Sequence, residues 1–102
     1  MKPRKTKYLK KVLKKKSFQS FPEKNHHQFY YLVVDGKKES VYTYFSHGKS
    51  EYDKKLMGAI KHQLKFPTSK DAENYFDCPM SGDQYVELLR EIGVLPPKGD
   101  DK

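Results

Sequence analysis

Residues 28–46, QFYYLVVDGKKESVYTYFS, leave the chain few alternatives. Two runs rich in aromatic and β-branched side chains flank Asp35-Gly36, a pair whose tolerance of positive φ suits the twist of a tight antiparallel hairpin. The pattern predicts strands over 28–34 and 40–46, with the turn near 35–38. Upstream, Phe18 and Phe21 predict a further strand that stops at Pro22, because proline has no amide hydrogen to give to a ladder. The three together make an antiparallel meander.

Helical periodicity brackets the meander. Leu9, Val12 and Leu13, with Tyr8 beside them, fall on one side of a helix that Thr6 can cap and that runs to about Lys16. At about 100° per residue, Lys7, Lys10, Lys11, Lys14 and Lys15 gather on the opposite side. Past His47-Gly48, Ser50-x-x-Asp53 resembles a capping box, and Leu56, Met57, Ile60 and Leu64 trace the buried stripe of a second helix that ends before Pro67. Thr68 or Ser69 can cap a third segment holding Ala72, Tyr75 and Phe76, which breaks at Cys78-Pro79. Ser81 then caps a last helix with Tyr85, Leu88, Leu89 and Ile92 on one face and Gly93 as its stop. The expectation is an α+β fold of order αβββα followed by two additional C-terminal helices. It forms one domain over 1–97, with a core at 6–66, a helical extension at 67–95 and a disordered tail at 98–102.

Charge narrows the function. Residues 1–16 carry nine basic side chains and no acidic one, whereas residues 67–102 are net acidic within a chain of net charge +8. Like charges at i,i+4 repel by a few tenths of a kcal/mol per pair, so a one-sided lysine helix points to a polyanionic partner, of which nucleic acid is the commonest. Mean hydropathy is −0.97, yet 14% of the residues are aromatic, enough to build a core. No window approaches the roughly 18 apolar residues of a membrane span, and the lysine-rich start lacks the apolar stretch of a signal peptide, so a cytoplasmic location away from membranes is expected. The one cysteine, Cys78, permits no internal disulfide and reads as a packing residue beside Pro79. His26, His27 and His47 with Asp35 or Asp53 offer no recognised ligand spacing, so neither a metal nor a small-molecule cofactor is expected.

The αβββα order with a short amphipathic first helix is the layout of the double-stranded-RNA-binding fold. Within it, LKKVLKKKSF, a histidine opening the second strand, VYTYFSH closing the third and LMGAIKHQL in the second helix resemble the HicA-type toxins, a family of small mRNA interferases. The resemblance covers about residues 6–66. It is closer still to an uncharacterised HicA-like group with YYLVVDGKK, SHG and DCPMS…Y segments, which extends it to about residue 90. It implies RNA as ligand, an antitoxin protein as partner and a histidine that cleaves RNA. Lys24-Asn25-His26-His27 stands where the family carries Gly-Ser before that histidine, so the counterpart is either His26 or His27.

An imidazole near its ordinary pKa of about 6.5 suits removal of a 2′-hydroxyl proton without metal, and Lys24 or the first-helix lysines are candidates to offset phosphorane charge. The alternative is binding without cleavage, by a non-catalytic nucleic-acid-binding or accessory domain, with lysines on phosphates and Tyr30, Tyr31, Tyr42 and Tyr44 as a stacking surface for single strands. A protein-interaction module using the acidic C-terminal helices is the third reading. The first two expect the cationic ridge to lie alongside the pleated surface as one cradle.

Overall fold

The computed structural model describes residues 1–22, 27–46, 48–77 and 79–97. Lys24, His26, His47, Cys78 and the tail at 98–102, all singled out above, lie outside them. The described residues form an α+β fold in the order β1 (Arg4–Lys5), α1 (Thr6–Lys15), β2 (Phe18–Pro22), β3 (His27–Val34), β4 (Lys37–Ser46), β5 (Glu51–Tyr52), α2 (Lys54–Gln63), α3 (Ser69–Phe76) and α4 (Gly82–Glu91). β2, β3 and β4 make the expected antiparallel meander. Its hairpin turns on Asp35 and Gly36, with φ of 53° and 79°, the pair of positive values that the Asp-Gly sequence accommodates. The register slips between Tyr31 and Val33, so the hairpin carries a bulge near its turn.

β1 and β5 were not legible in the sequence. They pair antiparallel, Arg4 opposite Tyr52 and Lys5 opposite Glu51, and they change how the first two helices begin. Thr6 is the first residue inside α1 rather than its cap, and its amide donates to the Ser50 carbonyl at 3.0 Å. Ser50 lies ahead of β5, and Asp53 caps α2 by accepting from the Leu56 amide at 2.9 Å. Thr68 caps α3, and Ser81 caps α4 in a reciprocal capping box with Gln84.

Strand alternation sorts the sheet into two faces. Phe18, Tyr30, Leu32, Val41, Thr43 and Phe45 are buried. Leu9, Val12 and Leu13 of α1, Met57 and Ile60 of α2, Ala72, Tyr75 and Phe76 of α3, and Tyr85, Val86 and Leu89 of α4 join them in one core. Each large apolar side chain among them contributes roughly 1.5–3 kcal/mol when fully buried. The α4 stripe is rotated from the expected one: Val86 is buried and Ile92 is 43% exposed, because the chain turns back after Ile92 and Leu95 enters the core instead, its amide bonded to the Leu89 carbonyl.

The C-terminal helices close over the start of the chain. Arg4 is 5% exposed, with its guanidinium on both carboxylate oxygens of Asp77 at 3.2 and 2.7 Å. The Lys16 ammonium donates to the carbonyls of Tyr75 and Met80 and lies 4.9 Å over the Tyr75 ring, while the Tyr75 hydroxyl donates back to the Lys16 carbonyl. Gly82 permits this junction, since a Cβ there would come within 3.0 Å of Ser17 Oγ and 3.1 Å of the Lys16 backbone. Arg4 and Lys16, two of the N-terminal cations, therefore hold the fold.

Candidate nucleic-acid interface

α1 presents its charge outward. Leu9 and Leu13 are fully buried, while Lys7, Lys11, Lys14 and Lys15 are exposed and Lys10 is half-buried with its ammonium 5.7 Å over the Phe45 ring. The helix contains no acidic residue. Among the described residues the ion pairs are Arg4 with Asp77 and Arg90 with Glu87, so the exposed α1 lysines stand unneutralised. Lys14 and Lys15 in the last turn complement the helix dipole, which offsets part of their mutual repulsion.

The second element of the site is the sheet face that the helices leave open. Its register sets Gln19 beside Tyr31, Phe21 beside Phe29, Phe29 beside Tyr44, Tyr31 beside Tyr42 and His27 beside Ser46. Tyr31 and Tyr42 stack at 5.0 Å with planes 23° apart, and Phe29 lies 6.3 Å from Tyr31, 5.8 Å from Tyr42 and 5.3 Å from Tyr44 at 22° to 33°. Phe21 meets Tyr31 edge-on at 5.4 Å. The Lys38 ammonium sits 4.1 Å over the Tyr31 ring and 4.5 Å over Phe21, within cation–π range. Tyr42 is 40% and Tyr44 38% exposed.

His27, the described member of the histidine pair, belongs to this face. Its ring is half-buried, edge-on to Tyr44 at 5.1 Å and 6.4 Å from Phe29. α1 packs on the other face, through Leu9, Val12 and Leu13. The lysines Lys7, Lys10, Lys11, Lys14 and Lys15 are thus brought together, but the imidazole of His27 is not brought to them, and the single cradle of ridge and imidazole does not form. Of the four tyrosines considered for stacking, Tyr31, Tyr42 and Tyr44 lie on the open face and Tyr30 is in the core, edge-on to Phe45 at 5.6 Å. Phe21, Phe29 and Lys38 complete the open face. Strict alternation out from the Asp-Gly turn could have found Phe29 with Tyr31, but the bulge breaks the count for Lys38.

A concavity elsewhere, between Ser17, Val33, Asp35 and the α4 residues Asp83, Glu87 and Arg90, is flanked by three carboxylates, which disfavours an anion. Among the described residues no three His, Cys, Asp or Glu side chains converge as a metal site would require. No helix is long and apolar enough to cross a membrane among the described residues.

Fold and site together define an α+β protein with a meander covered by helices on one face, an open aromatic face on the other, and a lysine helix on its covered side. No protein-family model, curated protein or solved structure matches the chain.

Proposed function

We propose that the protein binds RNA, with the sugar-phosphate backbone held by Lys7, Lys10, Lys11, Lys14 and Lys15. The observation that carries this reading is the unneutralised cationic side of α1, anchored to the core by its other side. A helix of this kind gains by meeting phosphates, because each phosphate contact releases a condensed counterion. RNA is favoured among polyanions by the sequence resemblance to HicA-type toxins and by the succession α1, β2, β3, β4 and α2, which, apart from the two-residue β5 between β4 and α2, follows the order of the double-stranded-RNA-binding fold. The same resemblance supplies an antitoxin as the protein partner. Fluorescence anisotropy with labelled RNA between 50 and 200 mM salt tests the reading; those concentrations bracket roughly the range over which phosphate-driven binding weakens steeply. Replacing Lys11, Lys14 and Lys15 by glutamine lowers the salt slope by about one for each phosphate that the helix no longer meets. Affinity indifferent to salt and to these substitutions would falsify it.

Cleavage is the second reading, favoured by the position of His27 at the rim of the aromatic face, where a nucleotide seated on Tyr44 would set its ribose beside the imidazole. Binding is the better supported of the two. Among the described residues the α1 lysines, candidates to offset phosphorane charge, lie across the sheet from His27, and Lys38 sits over Tyr31, four residues along the strand and so about 13 Å away; Lys24, the other candidate, lies outside the described residues. RNA incubated with the protein in a chelator separates the readings: metal-independent fragments that vanish with His27→Ala establish cleavage, and intact RNA establishes binding alone.

A further inference from the structure

The open sheet face carries a function of its own. Its row of rings is flanked by a cation and by no carboxylate, since the positions that form it among the described residues are Gln19, Phe21, His27, Phe29, Tyr31, Val33, Lys38, Tyr42, Tyr44 and Ser46. Aliphatic side chains, which dominate a face built to bury itself in another protein, are represented in that set by Val33 alone, at the hairpin end opposite Lys38. The rings of Phe29, Tyr31, Tyr42 and Tyr44 incline together, neighbouring planes lying within 33° of each other. Flat π-systems set at nearly common inclination accept another flat π-system as the next member of the row. The apolar rings have no charge to repel a strand, and the Lys38 ammonium, although drawn to Tyr31 and Phe21, belongs to an exposed residue and can meet a phosphate.

On these grounds we infer that the open face is a stacking platform for unpaired bases, with Tyr42, Tyr44 and Phe29 as base contacts and Lys38 as the phosphate contact. The inference rests on the RNA-binding reading and specifies its substrate class: single-stranded RNA, or a single-stranded segment beside a duplex. Stacking of this kind tolerates any base sequence, because every base has a π-face. Its ligand approaches from the side of the sheet opposite α1. The two surfaces therefore make separable contributions, base stacking from one and phosphate attraction from the other.

The chain has eight tyrosines and no tryptophan, so its intrinsic emission reports on the tyrosines themselves. Titration compares a short oligoadenylate, an abasic ribose-phosphate strand of equal length and a duplex of the same length. The platform predicts quenching of tyrosine emission and upfield ring-proton shifts in Tyr42, Tyr44 and Phe29 with oligoadenylate, and weaker binding without those signatures for the abasic strand and the duplex. The double variant Tyr42→Leu, Tyr44→Leu loses roughly tenfold or more in oligoadenylate affinity, tenfold corresponding to one stacked base, and keeps the wild-type salt slope. The glutamine variant of α1 shows the reverse, a shallower slope with the base preference retained. Equal affinity for the base-bearing and abasic strands, with the ring protons unmoved, overturns the platform and leaves RNA binding by α1 standing. Self-association that disappears in the leucine variant while oligoadenylate affinity is unchanged also overturns it, by assigning the face to a second copy. Failure of every strand to bind overturns both.

Discussion

At the scale of single residues, the tyrosines divide by what their hydroxyls meet. Tyr85 is fully buried and donates to the Leu64 carbonyl at 2.7 Å, across the junction of α2 with α4. Tyr85→Phe leaves that carbonyl without its donor in an apolar setting, and we expect a loss of about 1–2 kcal/mol, seen as a fall of order 5–10 °C in the thermal midpoint. Burial raises the pKa of Tyr85 above the ordinary value of 10.0, and burial followed by the neighbouring Tyr85 raises that of Tyr75. The unfolded chain therefore loses these protons first. Their contribution to stability is complete below about pH 10 and declines as pH rises beyond it. Urea midpoints measured from about pH 8 to about pH 12, with tyrosinate absorbance followed in parallel, should show stability falling only above about pH 10, and the slow tyrosinate signal appearing together with unfolding. The sequence marked Tyr75 and Tyr85 as apolar-face residues correctly. It could not show that their hydroxyls close the two helix junctions, since Lys16 and Leu64 are far from them along the chain.

Elements behave as their local chemistry dictates wherever no distant segment intervenes. The Asp35-Gly36 turn, the Ser81 cap and the Gly93 stop, at φ of 85°, all follow from nearest neighbours. Gly36 holds φ at 79°, and a methyl group there meets no neighbour within 4 Å, so the cost of Gly36→Ala is conformational alone. We expect about 1 kcal/mol, read from denaturant midpoints, with the hairpin register intact by amide spectra. α1 departs from its local signals because β1 and β5 pair ahead of it and take over the role of its cap. Its lysines carry a complementary prediction. Neutralising Lys11 and Lys14 relieves like-charge repulsion and should raise thermal stability slightly, by a few tenths of a kcal/mol, while RNA affinity falls. A change in opposite directions separates a binding helix from a merely solvated one.

For the molecule as a whole, the helices beyond residue 67 are part of the core rather than an appendage. Phe66 packs its ring against Tyr75, Phe76 and Tyr85 at 5.0 to 6.4 Å, and Tyr85 reaches Phe18 of the sheet at 6.0 Å. A chain ended after Lys65 would expose the inner sides of α1, α2 and β2 together. We expect it to lose its cooperative thermal transition by circular dichroism, whereas a chain ended after Pro97 keeps it. The sequence by itself determined the α+β class, the meander, the four helices and the lysine side of α1, because strand alternation, helical period and turn chemistry act over a few residues. Only the tertiary structure decided that Arg4 and Lys16 hold the C-terminal helices, that Tyr30 is core while Tyr31, Tyr42 and Tyr44 face outward, and that His27 and the α1 lysines occupy opposite faces of one sheet. Those outcomes depend on which side of the meander the helices cover, and that choice is made by side chains that meet across long stretches of chain.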